Sequence, residues 1–209
     1  MPDYVVLYFA FRGKLEFIRY IYHQAGIKVK EELTTLEEFP KSLKQRVPMG
    51  MLPVLKHEGK ELCQSLAIGR LFAHEGGLLG ETPWEDARTD MLVQGIYDDF
   101  YTPYAHCYMP ILDGDEALSK ANWAKFQPDG LQKFLDCYEK LLKENGTGYF
   151  VGKKLTWADL TVAEIMNRIM CLFDANALAN HPALKAHHDK IHELPNIKKY
   201  VATRPDYKY

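Results

Sequence analysis

The sequence predicts a small α/β domain followed by an all-helical one, and three observations carry that reading. Up to residue 78, short apolar runs and helix-spaced runs alternate in the order β-α-β-α-β-β-α. The last two strands flank Glu58-Gly59, a hairpin signal. After Gly80-Glu81-Thr82-Pro83, which reads as a linker, every periodic segment has helical spacing. The expected boundaries are 1–79 for the first domain and 84–209 for the second.

Residues 5–9 form an almost continuous apolar run of strand length, which reads as a buried strand. Leu15, Ile18, Arg19, Tyr22 and Ala25 then recur at helical spacing, and Gly26 supplies the stop. Residues 29–33 alternate as a second strand. Thr34 or Thr35 can cap a short segment with Glu37 and Glu38 in its first turn. Residues 52–57 and 60–63 make the hairpin, and residues 65–75 a helix ended by Gly76-Gly77. Further helices are expected over 84–108, 118–143, 157–173, 183–193 and 196–203. Thr156-Trp157-Ala158-Asp159 has capping-box spacing with Asp for Glu, and His181-Pro182 places proline at a helix start.

At 209 residues, 47% hydrophobic and 26% charged, the chain has an ordinary globular composition and can bury a core. A net charge of −2 argues against nucleic-acid or membrane-surface partners. No apolar run is long enough to span a membrane, and Met1-Pro2-Asp3-Tyr4 does not open a signal peptide, so a cytoplasmic protein is expected. Cys63, Cys107, Cys137 and Cys171 show no metal-ligand spacing and are expected to be buried thiols rather than disulfides. His181, His187, His188 and His192 read as polar positions on a surface helix, with no metal site. Asn145-Gly146 reads as a turn rather than a glycosylation site.

Three wider signals point to chemistry. Leu52-Pro53 is a candidate cis peptide that would turn the Leu52 backbone toward a peptide-like ligand; the alternative is a proline opening an edge strand. Gln64-Ser65 stands at a helix start, where free N–H groups and the Ser65 hydroxyl suit a carboxylate; the alternative is a plain N-cap. Tyr8, at the carboxyl end of the first strand, could hydrogen-bond a thiolate; taken alone such a residue is more often a core aromatic with a satisfied hydroxyl.

Together these residues resemble the cytosolic glutathione transferases of the sigma class. The resemblance rests on Tyr8-Phe9-x-x-Arg12-Gly13-x-x-Glu16, on Pro48-Met49-Gly50-Met51-Leu52-Pro53-Val54-Leu55, and on Gln64-Ser65-Leu66-Ala67-Ile68-x-Arg70. It continues through Thr156-Trp157-Ala158-Asp159-Leu160 to Thr203-Arg204-Pro205. It implies a thioredoxin-like N-terminal domain, an all-α C-terminal domain and a homodimer. Tyr8 would activate the glutathione thiol, Gln64 and Ser65 would hold the γ-glutamyl end, and Leu52 beside Pro53 would pair with the cysteinyl unit. Phe39 stands where the family usually has tryptophan, Lys44 aligns with a lysine on the glycyl carboxylate, and Asp98 would reach the partner subunit's glutathione. Lys14 replaces an arginine near the thiol, and Met51 replaces a lysine or glutamine, which loosens the glycyl end.

The second substrate is expected against Phe11, Gly13, Lys14 and a helix carrying Phe100, Tyr101, Tyr104 and Tyr108, with Tyr207 and Tyr209 closing over it. The same aromatic spacing is that of core packing. The expected function is conjugation of glutathione, a co-substrate, to hydrophobic electrophiles in detoxification. Its rivals are glutathione-dependent isomerisation of prostaglandin H2 and non-catalytic binding of glutathione or an apolar, haem-type ligand.

Overall fold

The computed structural model describes residues 4–207, which divide into two compact units: residues 4–78 with 194–207, and Leu79–Glu193. The first unit contains β1 (Tyr4–Phe9), α1 (Glu16–Ala25), β2 (Val29–Thr34), a short α2 (Phe39–Ser42), β3 (Val54–His57), β4 (Lys60–Cys63) and α3 (Ser65–Glu75). Its four strands lie in the order β2-β1-β3-β4. The β1–β2 pair is parallel and the β1–β3 and β3–β4 pairs are antiparallel. This is the mixed sheet of a thioredoxin-like domain, and its apolar β1 is central because it is covered on both faces.

Helix α1 ends where Gly26 adopts φ +71°, its N–H donating back to His23. Helices α1 and α3 approach closely at Gly69. A Cβ there would lie 2.6 Å from the Phe17 ring, so only glycine permits this packing.

The second unit consists of α4 (Pro83–Gly95), α5 (Tyr101–Leu112), α6 (Glu116–Phe126), α7 (Gln132–Asn145), α8 (Trp157–Leu172) and α9 (Pro182–His192). The single helices expected over 84–108 and 118–143 are each interrupted by a wide π turn, at Ile96–Phe100 and Gln127–Leu131. Prolines explain both breaks: Pro103 and Pro128 lack an N–H, and their rings crowd the carbonyl four residues earlier. Hydrophobic periodicity runs on through such a turn and does not register it.

Helix α8 carries the core of this unit, with Trp157, Leu160, Val162, Ile165 and Ile169 buried. Its start is a capping box in which Asp159 Oδ2 accepts from the Thr156 N–H and hydroxyl, both at 2.8 Å. Asp159 Oδ1 accepts from the Phe150 N–H at 2.9 Å and lies 3.0 Å from His187 Nε2. His181, His187 and His188 are therefore buried, contrary to the surface reading: His187 on α9 meets the buried Asp159, while His181, just ahead of α9, reaches the exposed Asp136. All four cysteines are free thiols, but only Cys107 is buried; Cys137 and Cys171 are exposed and Cys63 is half-buried. Gly146 (φ +68°) ends α7 as a turn, and the Asn145 amide is bonded to Thr147, Tyr149 and Gly152.

The last helix, α10 (Pro195–Thr203), groups with the first unit rather than with the helical one that residues 84–209 were expected to form. Apolar packing and buried charge both hold it there: Ile197 and Tyr200 are buried, and Tyr200 meets Tyr20 edge-on at 5.8 Å. Glu16 is fully buried and accepts from Arg204 Nη1 at 2.8 Å, the Tyr200 hydroxyl at 3.0 Å and Arg19 Nη1 at 3.1 Å. Those partners tie the chain's last turns to α1.

Candidate functional site

The site begins where β1 ends. The Tyr8 hydroxyl oxygen accepts the Lys14 backbone N–H at 2.7 Å. That bond uses an oxygen lone pair, not the phenolic proton, and it polarises the O–H toward donation. The turn leading to Lys14 works because residue 13 is glycine. Gly13 has φ +44°, and a Cβ there would lie 2.3 Å from Tyr8 Oη and 2.5 Å from the Phe11 ring. Gly13 is thus buried beneath the phenol rather than forming an open wall. Gly13→Ala is expected to displace the Tyr8 hydroxyl and lower kcat/KM at least about tenfold, roughly the worth of one hydrogen bond to a charged group. Steady-state kinetics beside the wild type measures it.

The loop before Gly13 is held from below. Arg19 Nη1 donates to the Phe11 carbonyl at 3.1 Å, while Arg19 Nε and Nη2 grip Glu31 at 2.9 and 2.6 Å. The Tyr22 hydroxyl adds a 2.5 Å bond to Glu31. Burial pushes the Glu31 carboxyl up, but the hydrogen bond and charge of Arg19 outweigh it and the net shift is downward. Above the loop, Phe9 and Phe11 stack with centroids 5.3 Å apart, and Tyr8 meets both edge-on.

A second group gathers beside Lys14. Lys14, Met49, Met51, Leu52, Pro53, Cys63, Gln64 and Ser65 line one small cleft. The Leu52–Pro53 peptide is cis. Ser65 is buried and lies inside the first turn of α3, so it is not the N-cap; that place belongs to Gln64, whose side chain caps nothing. The first N–H groups of α3 therefore lack a side-chain cap and suit an anion. Gln64 holds φ +74°, a left-handed conformation that costs a non-glycine residue energy and occurs at ligand sites.

Of the residues expected to hold glutathione, Lys14, Met51, Leu52, Pro53, Gln64 and Ser65 thus share one cleft. Phe39 does not: it is buried with Leu7, Val47 and Val54, and Phe9 meets it edge-on at 5.4 Å. Its role is packing beneath the loop, because α2 turns it into the sheet. Lys44 is exposed, with its backbone beside Gly50. Asp98 and Asp99 are both exposed on the second unit. Sequence reasoning missed Met49 and Cys63 as lining residues and Phe9 as a stacking partner; Met49 stood inside the Pro48–Leu55 motif.

The expected aromatic residues, Phe100, Tyr101, Tyr104 and Tyr108, are buried within the second unit, where Phe100 also borders a cavity of about 420 Å³ with Phe126, Phe134 and Tyr138. Phe100 stacks on Phe134 at 4.1 Å and on Tyr104 at 5.4 Å, and the Tyr101 and Tyr108 hydroxyls share a 2.7 Å bond. Burial pushes the Tyr104 phenol well up, which keeps it neutral. Helical spacing produced this stripe because it meets neighbouring helices, Phe100 against Phe134 of α7, Tyr104 against Phe126 of α6 and Phe173 at the end of α8, so core packing explains it. Phe11 remains half-buried in the first unit. Tyr207 lies with its ring 5.3 Å from the Arg19 guanidinium, and Tyr209 is outside the described residues. Among the described residues no group of side chains is arranged to hold a metal, and no helix is long and apolar enough to cross a membrane.

Comparison with known proteins agrees with this geometry. Residues 4–71 match the glutathione S-transferase N-terminal domain, and residues 98–204 match the glutathione S-transferase C-terminal domain. Glutathione S-transferase 1 of Ascaris suum is 35% identical over 209 residues, covering the whole of both chains. Among solved structures, a Nu-class transferase from Haemonchus contortus is 37% identical with a TM-score of 0.84, over 99% of this chain and 98% of that one. A prostaglandin synthase D of Nilaparvata lugens is 28% identical with a TM-score of 0.84, over 98% and 100%. With both domains matched in order and a relative alignable from end to end, the chain belongs to the glutathione S-transferase family.

Proposed function

We propose that the chain conjugates glutathione to hydrophobic electrophiles as a sigma-class, homodimeric, cytoplasmic detoxification enzyme, and that Tyr8 is its catalytic residue. The observation that carries the reading is the Tyr8 hydroxyl, held at the end of β1 by the Lys14 N–H. In this mechanism the γ-glutamyl carboxylate sits on the first turn of α3, with Ser65 and Gln64 as donors. The cysteinyl unit pairs with the Leu52 backbone, and Lys44 and Lys14 supply positive charge. Asp98 of one subunit reaches the glutathione amine of the other. The phenol donates to the thiolate, and the thiolate attacks the electrophilic carbon without a covalent enzyme intermediate. The electrophile rests against Phe11, whose stacking on Phe9 offers a flat apolar face.

Energetics support the assignment. A free thiol titrates near ~8.5, and lowering that by about two units requires roughly 2.7 kcal/mol. A hydrogen bond to a charged group contributes about 1.5–3 kcal/mol, so one placed phenol suffices. Conjugation of glutathione to 1-chloro-2,4-dinitrobenzene tests the reading, and a wild-type protein that binds glutathione without conjugating it would overturn it.

The glycyl end is loosened by Met51, a thioether where a donor would serve better. Met51→Lys is expected to lower KM for glutathione about two- to fivefold, the range of an exposed charge pair. Equal KM values in the two proteins would show that residue 51 does not face the glycyl carboxylate.

The likeness to a prostaglandin synthase favours a second reading, in which the same thiolate isomerises a prostaglandin endoperoxide. Product analysis with prostaglandin H2 separates it from conjugation.

A further inference from the structure

We propose that Met49 is a site of reversible oxidation that controls glutathione binding in this cleft; the inference rests on the glutathione reading of the cleft given above. Two methionines, Met49 and Met51, line it, and each is 55% exposed. They flank Gly50, whose φ of +63° turns the loop so that both reach the same recess. Only Met49 is joined to a glutathione-binding side chain: the Gln64 amide Nε2 donates to its sulfur at 3.5 Å. A thioether is a weak acceptor, so in the reduced protein this bond orients Gln64 without holding it against a carboxylate.

Oxidation changes that balance. A peroxide transfers one oxygen to the sulfur: a sulfur lone pair attacks, the O–O bond breaks, and the leaving hydroxide takes a proton to become water. The thioether is oxidised by two electrons to the sulfoxide, and the peroxide is reduced. The new oxygen is polar and a strong acceptor, at the atom the Gln64 amide already faces. Gln64 is then drawn to the sulfoxide, and the ligand's anionic end loses one donor. The remaining anchor, Ser65 in the first turn of α3, is untouched, as is Tyr8 at the end of β1. The expected effect is therefore on glutathione KM, raised about tenfold for one lost charged hydrogen bond, with kcat at saturating glutathione retained.

Wild type and Met49→Leu are treated with hydrogen peroxide, and oxygen addition at Met49 and at Met51 is distinguished by peptide mass spectrometry. KM for glutathione is measured after dithiothreitol and again after methionine sulfoxide reductases A and B. In the wild type the KM rises, persists through dithiothreitol and returns with the reductases; in Met49→Leu it does not respond. Met49→Gln, which places an amide oxygen at the same point, raises KM without peroxide and serves if the leucine variant does not fold. Oxidation at Met49 with unchanged KM would overturn the proposal. So would an equal rise in Met49→Leu, or full recovery with dithiothreitol alone, which would move the effect to a thiol such as Cys63. Glutathione KM unchanged in untreated Gln64→Ala would remove the glutathione reading of Gln64 itself, and this proposal with it.

Discussion

Tyr8→Phe is expected to raise the pKa of bound glutathione by one to two units and to lower kcat/KM near pH 6.5 by about ten- to a hundredfold. The magnitude follows from one hydrogen bond to a thiolate, about 1.5–3 kcal/mol, with each ~1.4 kcal/mol worth a factor of ten. The substitution removes only an oxygen. The ring stays buried, packed edge-on against Phe9 and Phe11, so the fold persists. The Lys14 N–H loses its acceptor, which costs about 1 kcal/mol of stability. The deficit should shrink as pH approaches the free thiol's own pKa, because glutathione is then ionised without help. Difference absorbance of the bound thiolate against pH, read beside the kinetics, checks both points. A bound-thiol pKa equal in the two proteins would remove Tyr8 from catalysis.

Arg19→Ala is expected to cost about 3–5 kcal/mol of folding stability, the loss that follows when a buried charge keeps its place and loses its partner. Arg19 is 2% exposed and joins three groups at once: Glu31 through two nitrogens, Glu16, and the Phe11 carbonyl. Burial works against its charge, but the hydrogen bond to Glu31 and the charges of Glu31 and Glu16 outweigh it, and its pKa is raised. Without it, Glu31 retains Tyr22, and Glu16 retains Arg204 and Tyr200. The pH dependence follows from Glu31. Its folded pKa is depressed, so its contribution is present above the unfolded carboxylate value and is lost as pH falls through the folded one. Removing Arg19 lifts the folded value, and acid destabilisation should begin at a higher pH. Urea unfolding at neutral and acidic pH measures both effects. A change under about 1 kcal/mol would mean that Glu16 and Glu31 are held adequately by their other partners.

What could be read directly lay in local chemistry. Gly26 stops α1 because the left-handed cap needs no Cβ, and Asp159 caps α8 three residues after Thr156; each signal acts within one turn of chain. The cleft residues Leu52-Pro53 and Gln64-Ser65 were legible for the same reason, since a proline and a helix start carry their own geometry. Periodicity also placed Phe100 and Tyr104 on one face of a helix. It could not tell whether that face met a ligand or the neighbouring helices, because both are apolar.

Tertiary structure decided the rest, through partners distant in the chain. Glu16 and Arg204 are 188 residues apart, and nothing local predicts that a buried carboxylate on α1 will draw the last helix into the first unit. Phe39 packs in the sheet's core beside Leu7, Val47 and Val54. The need for glycine at residue 13 arises only where the Tyr8 hydroxyl passes 2.3 Å from the place a Cβ would take. The sequence by itself determined the order of elements and the residue types able to bind an anion and hold a thiolate. Which buried charges are compensated, and which aromatic rings remain for a ligand, depended on packing between segments, because desolvation and close contact are properties of the assembled fold.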